Sequence, residues 1–168
     1  MPNDQKQNQT NPENNNAFSP TARHNARRYA LQAMYQWQVA GASLHEIETE
    51  FVRYHIDKKI DLEFFKELVH GIPENQEEID QAMQPYLGRP LLEIDPIEMA
   101  VLRVAVYELL KRQDIPYRVT INEALELTKK FGSIEGHKFV NGVLDRVARI
   151  QRPTEIKMYA AQKKDKDA

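Results

Sequence analysis

Between Asp95-Pro96 and Arg112 the chain is apolar on nearly every side. Ile97, Ala100, Val101, Leu102, Val104, Ala105, Val106, Leu109 and Leu110 leave no broad polar face for solvent. A helix at a surface shows one apolar stripe, whereas a helix apolar all round belongs at the centre of a body of other elements. The run is shorter than the roughly 18 apolar residues that a bilayer span needs. Its β-branched middle, 103–107, suits a strand locally, but the length of the whole pattern favours helix. Something must wrap this segment, and the flanking sequence supplies helices.

Ser19-Pro20 places an N-cap residue before a proline at the first helical position. Ala30, Leu31, Met34, Tyr35 and Gln38 carry that helix to about Ala40, and Gly41 ends it. Ser43 with Glu46 forms a capping box ahead of Leu44, Ile47, Phe51 and Val52. Asp61 starts a third helix through Phe64, Phe65, Leu68, Val69 and Ile72, and Pro73 opens a fourth through Ile79, Met83 and Tyr86. Asp95-Pro96 repeats the cap-plus-proline start for the central helix. Thr120-Ile121-Asn122-Glu123 reads as another capping box, with Gly132 as the stop. The last helix carries Phe139, Val140, Val143, Leu144, Val147 and Ile150; Gly142 inside it costs about 1 kcal/mol relative to Ala, so a close helix–helix approach is expected there. The expected fold class is all-α, with about seven helices in residues 19–150. Residues 1–18 are polar and Asn-rich and are expected to be disordered. Residues 151–168 are expected to form a flexible charged tail, with Pro153 as a stop and a frayed helix through Ile156, Met158 and Tyr159 as the alternative.

The chain of 168 residues has no cysteine, which excludes a disulfide framework, a thiolate zinc site and a cysteine nucleophile, and fits a reducing, cytoplasmic setting. His45-Glu46 begins like a zinc-protease motif, but position 49 is Thr. Gly132 and Gly136 lack the Lys-Ser/Thr of a phosphate loop, and no serine sits in a nucleophile elbow. No catalytic residue, metal site or cofactor is expected.

Charge is unevenly placed. Between Glu13 and Glu46 there is no acid, and Arg23, Arg27 and Arg28 lie there; residues 43–94 then carry twelve acids against five bases. Arg23 and Arg27, four apart, share a helix face, with Arg28 beside them and His24 as a further donor. Cations are unfavourable at a helix N-terminus, and a bound anion would relieve that conflict. Exposed arginines on a helix are also commonplace, and Trp37 suits a core aromatic as well as an interface. Tyr35, one face round, suits an interface residue. Lys129, Lys130 and Lys138 form a second basic group near Gly132–Gly136, where the first two also suit a helix C-terminus.

Four stretches together resemble the NusB family of transcription antitermination factors: ARRYALQAMYQW at 26–37, AVLRVAVYEL at 100–109, IPYRVTINEA at 115–124 and HKFVNGVLD at 137–145. The similarity spans about residues 22–150. It implies two helical subdomains of the NusB type and no catalysis. It implies binding of single-stranded boxA leader RNA together with the ribosomal protein NusE, in an antitermination complex on RNA polymerase. Carried over by position, the RNA-binding residues are Arg23, His24, Arg27, Arg28, Lys138 and Phe139. Those facing the protein partner are Tyr35, Glu98 and Glu135. Other readings are a helical interaction module with no RNA role and a helix-turn-helix DNA binder, the latter opposed by Glu123 and Glu126. The RNA-binding front end of a methyltransferase is a further one, opposed by a length with no room for a methyl-donor fold. A homodimer stays open.

Overall fold

The computed structural model describes residues 19–54 and 59–167. The expectation for residues 1–18 lies outside the described residues. Among the described residues eight α-helices run in order: α1 Pro20–Ala40, α2 Leu44–Tyr54, α3 Leu62–Glu74, α4 Gln76–Met83, α5 Pro96–Lys111, α6 Tyr117–Phe131, α7 Ile134–Gln151 and α8 Pro153–Asp167. Short 3-10 turns over Gln84–Tyr86 and Leu91–Glu93 join α4 to α5, and no strand occurs among the described residues.

Local chemistry starts most of these helices where the sequence says. The Ser19 hydroxyl accepts from the Ala22 amide at 3.1 Å, Ser43 from Glu46 at 3.1 Å, and Asp61 from Phe64 at 3.0 Å. Asp95 accepts from Ile97 and Glu98, and Ser133 from Gly136. Each bond satisfies an amide that has no partner in the first turn. Gly41 ends α1 at φ +62°, a left-handed conformation that costs glycine little.

The all-round apolar segment is α5, buried from Glu98 to Leu109. It packs on α1 and α3 on one side and on α4, α6 and α7 on the other. The two subdomains therefore share one central helix. α1–α3 close around Tyr29, Phe51 and Phe65, whose rings meet in succession at 6.1 and 5.8 Å. α5 and α3 approach closely at Gly71, where an added Cβ would lie 2.7 Å from the Tyr107 ring.

Four expectations need correction. α6 begins at Tyr117, not at Thr120, which is buried inside the helix with its hydroxyl 3.3 Å from Glu108 Oε1. The cap at this end comes from elsewhere in the chain, because Glu155 accepts from the Tyr117 amide at 2.8 Å. Pro73 lies in the last turn of α3 and does not open α4. The helix continues past it because Asn75 donates to the Gly71 carbonyl from both its backbone and its side chain. Pro153, read as a stop, is the first residue of α8, which suits a proline because its missing N–H is not needed there. Gly142 is exposed with open space around it, so among the described residues no helix approaches it.

Candidate RNA and partner interface

The start of α1 is where the basic residues were expected to converge, and the structure separates them. Arg27 turns inward and is 3% exposed. Its Nε and Nη2 donate to both oxygens of Glu108, itself 1% exposed, at 2.8–3.1 Å. Burial pushes the Glu108 carboxyl up, and the Arg27 fork and the Thr120 hydroxyl pull it back. The placement of Arg27 among phosphate-facing residues is thus corrected. Its helical position points at α5, where a buried acid waits, and its donors are committed there.

Arg23 is half-buried, with Nε 3.8 Å from Asp61 and the guanidinium over the Phe64 ring. His24 Nδ1 lies 2.6 Å from Glu123 Oε2, which ties α1 to α6. Arg28 has no carboxylate partner among the described residues. Its guanidinium carbon lies 5.0 Å from the Tyr29 ring centroid, and its Nε is buried without a hydrogen-bond partner. Arg28 is therefore the member of the group with charge to offer.

On α7, Lys138 is exposed and Phe139 half-buried. The guanidinium of Arg89 lies 5.1 Å from the Phe139 ring centroid. Arg89 was not singled out from sequence. It follows Gly88, whose φ of +72° turns the chain after the 3-10 segment, and nothing local marks its meeting with a ring fifty residues away. Among the described residues no hydrogen bond, ion pair or ring contact links Lys138 or Phe139 to the α1 arm.

The expected partner residues converge more closely. Tyr35 is 40% exposed and lines a hollow of about 330 Å³ with Leu31, Gln32, Gln36, Ile97 and Phe131. Glu98, expected to face the protein partner, adjoins Ile97 but is only 8% exposed. It lies under the first turn of α7, where a methyl on Gly136 would collide with it. Burial and the neighbouring Asp95 raise its pKa above the ordinary value, and Arg89 partly offsets them. Glu135 is exposed in that same first turn of α7. Phe131 and Gln32 were missed. Trp37 packs against the core, with Arg103 over its ring.

Among the described residues no group of three or more His, Asp or Glu is placed to hold a metal, and no helix is long and apolar enough to cross a membrane. Among the described residues the fold is thus a strand-free pair of helical bundles around one shared helix, with cations beside aromatic rings. The chain belongs to the NusB family: the model of that family matches residues 24–149. Among its relatives, the transcription antitermination protein NusB of Idiomarina loihiensis is 50% identical over 137 residues, covering 82% of this chain and 99% of the relative. That of Pseudomonas fluorescens is 49% identical over 155 residues, covering 90% and 93%. NusB of T. maritima superposes with a TM-score of 0.69 at 32% identity, over 80% of this chain and 96% of that one. A structure of the antitermination factors NusB and NusE with double-stranded RNA gives 0.71 at 26% identity, over 79% and 99%.

Proposed function

We propose that this chain is a transcription antitermination factor that binds single-stranded boxA-type leader RNA jointly with the ribosomal protein NusE, as part of an antitermination complex on RNA polymerase. It acts in the cytoplasm, by binding and without catalysis. The observation that carries the reading is the pairing of cations that form no ion pair among the described residues with aromatic rings: Arg28 on Tyr29 and Arg89 on Phe139, with Lys138 adjacent. Single-stranded RNA is recognised by such surfaces, since phosphates take the charge and splayed bases stack on rings and guanidinium planes. Arg23 and His24 contribute at the edge, and Arg27 supports from beneath. Tyr35, Glu98 and Glu135 mark the face for NusE, where the apolar hollow accepts a side chain and the carboxylates answer a basic ribosomal protein.

The reading is tested by titrating boxA RNA into the parent and into Arg28→Ala and Arg89→Ala at several salt concentrations. Each variant is expected to bind more weakly, with the slope of log affinity against log salt reduced by about 0.7 per lost phosphate contact. Unchanged affinity and slope in both would favour the interaction module with no RNA role.

A further inference from the structure

α8 lies outside the segment matched by the family and meets the start of α6 across an open groove of about 740 Å³. Tyr117, Arg118, Met158, Tyr159, Gln113 and Gln162 line it. The Arg118 guanidinium lies over the Tyr159 ring of α8, its carbon 4.1 Å from the centroid. Tyr117 meets the same ring edge-on at 6.5 Å and 78°. Arg118 is exposed and forms no ion pair among the described residues. The one acid lining the groove is Glu155, and both its oxygens are taken, one by the Tyr117 amide at 2.8 Å and the other by Arg152 Nη1 at 2.7 Å. The groove therefore offers a guanidinium held on a ring with no ion pair among the described residues, further aromatic surface, the Gln162 amide and the side-chain oxygen of Gln113, whose Nε2 donates to the Leu109 carbonyl at 3.3 Å.

That chemistry suits an unpaired nucleotide. A guanidinium already stacked on tyrosine leaves its outer face for a base, side-chain amides meet base edges, and the charge meets phosphate. Lys163 and Lys166, four and seven residues beyond Tyr159, prolong the same face of α8 with cations. α6 also carries a tie to the α1 arm. Glu123, five residues after Arg118 on α6, holds His24, and five helical residues rise about 7.5 Å.

We propose that the α6–α8 groove binds the single-stranded flank of the same RNA, beyond the segment held by the α1 arm, with one base stacked on the Arg118–Tyr159 platform. The proposal rests on the RNA reading above. The test compares, on the full-length protein, a boxA RNA with the same RNA extended at either end by about six unpaired nucleotides, a length within the range of single-strand sites. The parent is expected to bind one of the extended RNAs at least about five-fold more tightly than the short one, the gain of a single stacked base. Arg118→Gln and Tyr159→Ala are expected to abolish the gain and leave the short RNA bound as by the parent. Arg118→Lys keeps charge without a plane and is expected to lose most of it. Tyr159→Phe keeps the ring and is expected to retain it. No gain in the parent from either extension, or a gain that survives Arg118→Gln or Arg118→Lys, overturns the groove as a stacking site. Failure of the parent to bind the short RNA at all is a distinct result, which overturns the RNA reading and this proposal with it.

Discussion

Two turns into α1, Arg27 reaches in to Glu108 while Arg28 lies along the Tyr29 ring. Removing Arg27 strands a carboxylate that is 1% exposed, and breaking such a buried pair costs about 3–5 kcal/mol. Arg27→Ala is expected to lower the denaturation midpoint steeply, while Arg28→Ala stays within about 0.5 kcal/mol of the parent and loses RNA affinity. Equal stability in the two variants would contradict the division. A second residue-scale prediction concerns Glu98. Its folded-state pKa is raised above the ordinary 4.5, so the folded protein holds that proton more tightly than the unfolded chain does. Its contribution to stability is present below the ordinary value and is lost as pH rises through the folded one. Glu98→Gln is thus expected to melt above the parent at pH 7, with the margin closing as pH falls towards 4, and to bind NusE less well. A lower melt at pH 7 would mean that the carboxylate chiefly supports the start of α5. Sequence set Arg27 on one face with Arg23, and Arg28 beside them, because spacing reports which residues share a face, not what lies opposite. The partner of Arg27 is 81 residues away.

Elements fall into those fixed from within and those fixed from a distance. The caps at Ser19, Ser43, Asp61 and Asp95 act over two or three residues, and those starts were legible. The start of α6 was not, because the carboxylate serving it comes from α8, 38 residues on. Arg152, buried at the α7–α8 junction, does the corresponding work at the end of α5. It donates to the carbonyls of Glu108, Leu109, Arg112 and Ile115 at 2.8–3.2 Å. Carbonyls at a helix end lack a full set of amide donors, and a cation is favoured beside them, here in addition to the Arg112 and Ile115 amides that the Glu108 and Arg112 carbonyls accept. Arg152→Ala is expected to cost about 3 kcal/mol or more, since hydrogen bonds to a charged group contribute about 1.5–3 kcal/mol each and are not additive. Glu155→Ala, removing a cap-like acceptor, should cost about 1 kcal/mol. If both variants unfold like the parent, the junction is not a clamp. Gly142 gives the opposite sign. With nothing near its position, Gly142→Ala is expected to stabilise α7 by about 0.5–1 kcal/mol. Calorimetric melting checks this, and a destabilised variant would reveal a contact to that face.

For the whole molecule, one apolar helix shared by two bundles explains why seven helices and their order could be read from periodicity while the surface could not. Burial at α5 follows from its apolar composition alone, whereas Arg89 on Phe139 and Arg118 on Tyr159 depend on how distant helices settle. In the proposed reading the cation–ring pairs, Arg28 on Tyr29 and Arg89 on Phe139, serve one partner, and the Tyr35 hollow with the desolvated Glu98 serves the other. In the proposed assembly the first takes RNA and the second takes NusE, and each partner helps to hold the other. Tyr35→Asp is expected to weaken NusE binding with the melt within a few degrees of the parent, and to leave RNA binding without NusE unchanged. The central claim is joint recognition. It is tested most directly by the dissociation constant for boxA RNA with NusE absent and saturating, against a composition-matched scrambled strand. Joint recognition predicts that NusE tightens boxA binding by about five-fold or more and scrambled RNA by much less, with the boxA gain lost in Tyr35→Asp. Equal tightening of both strands, or none of either, would contradict it.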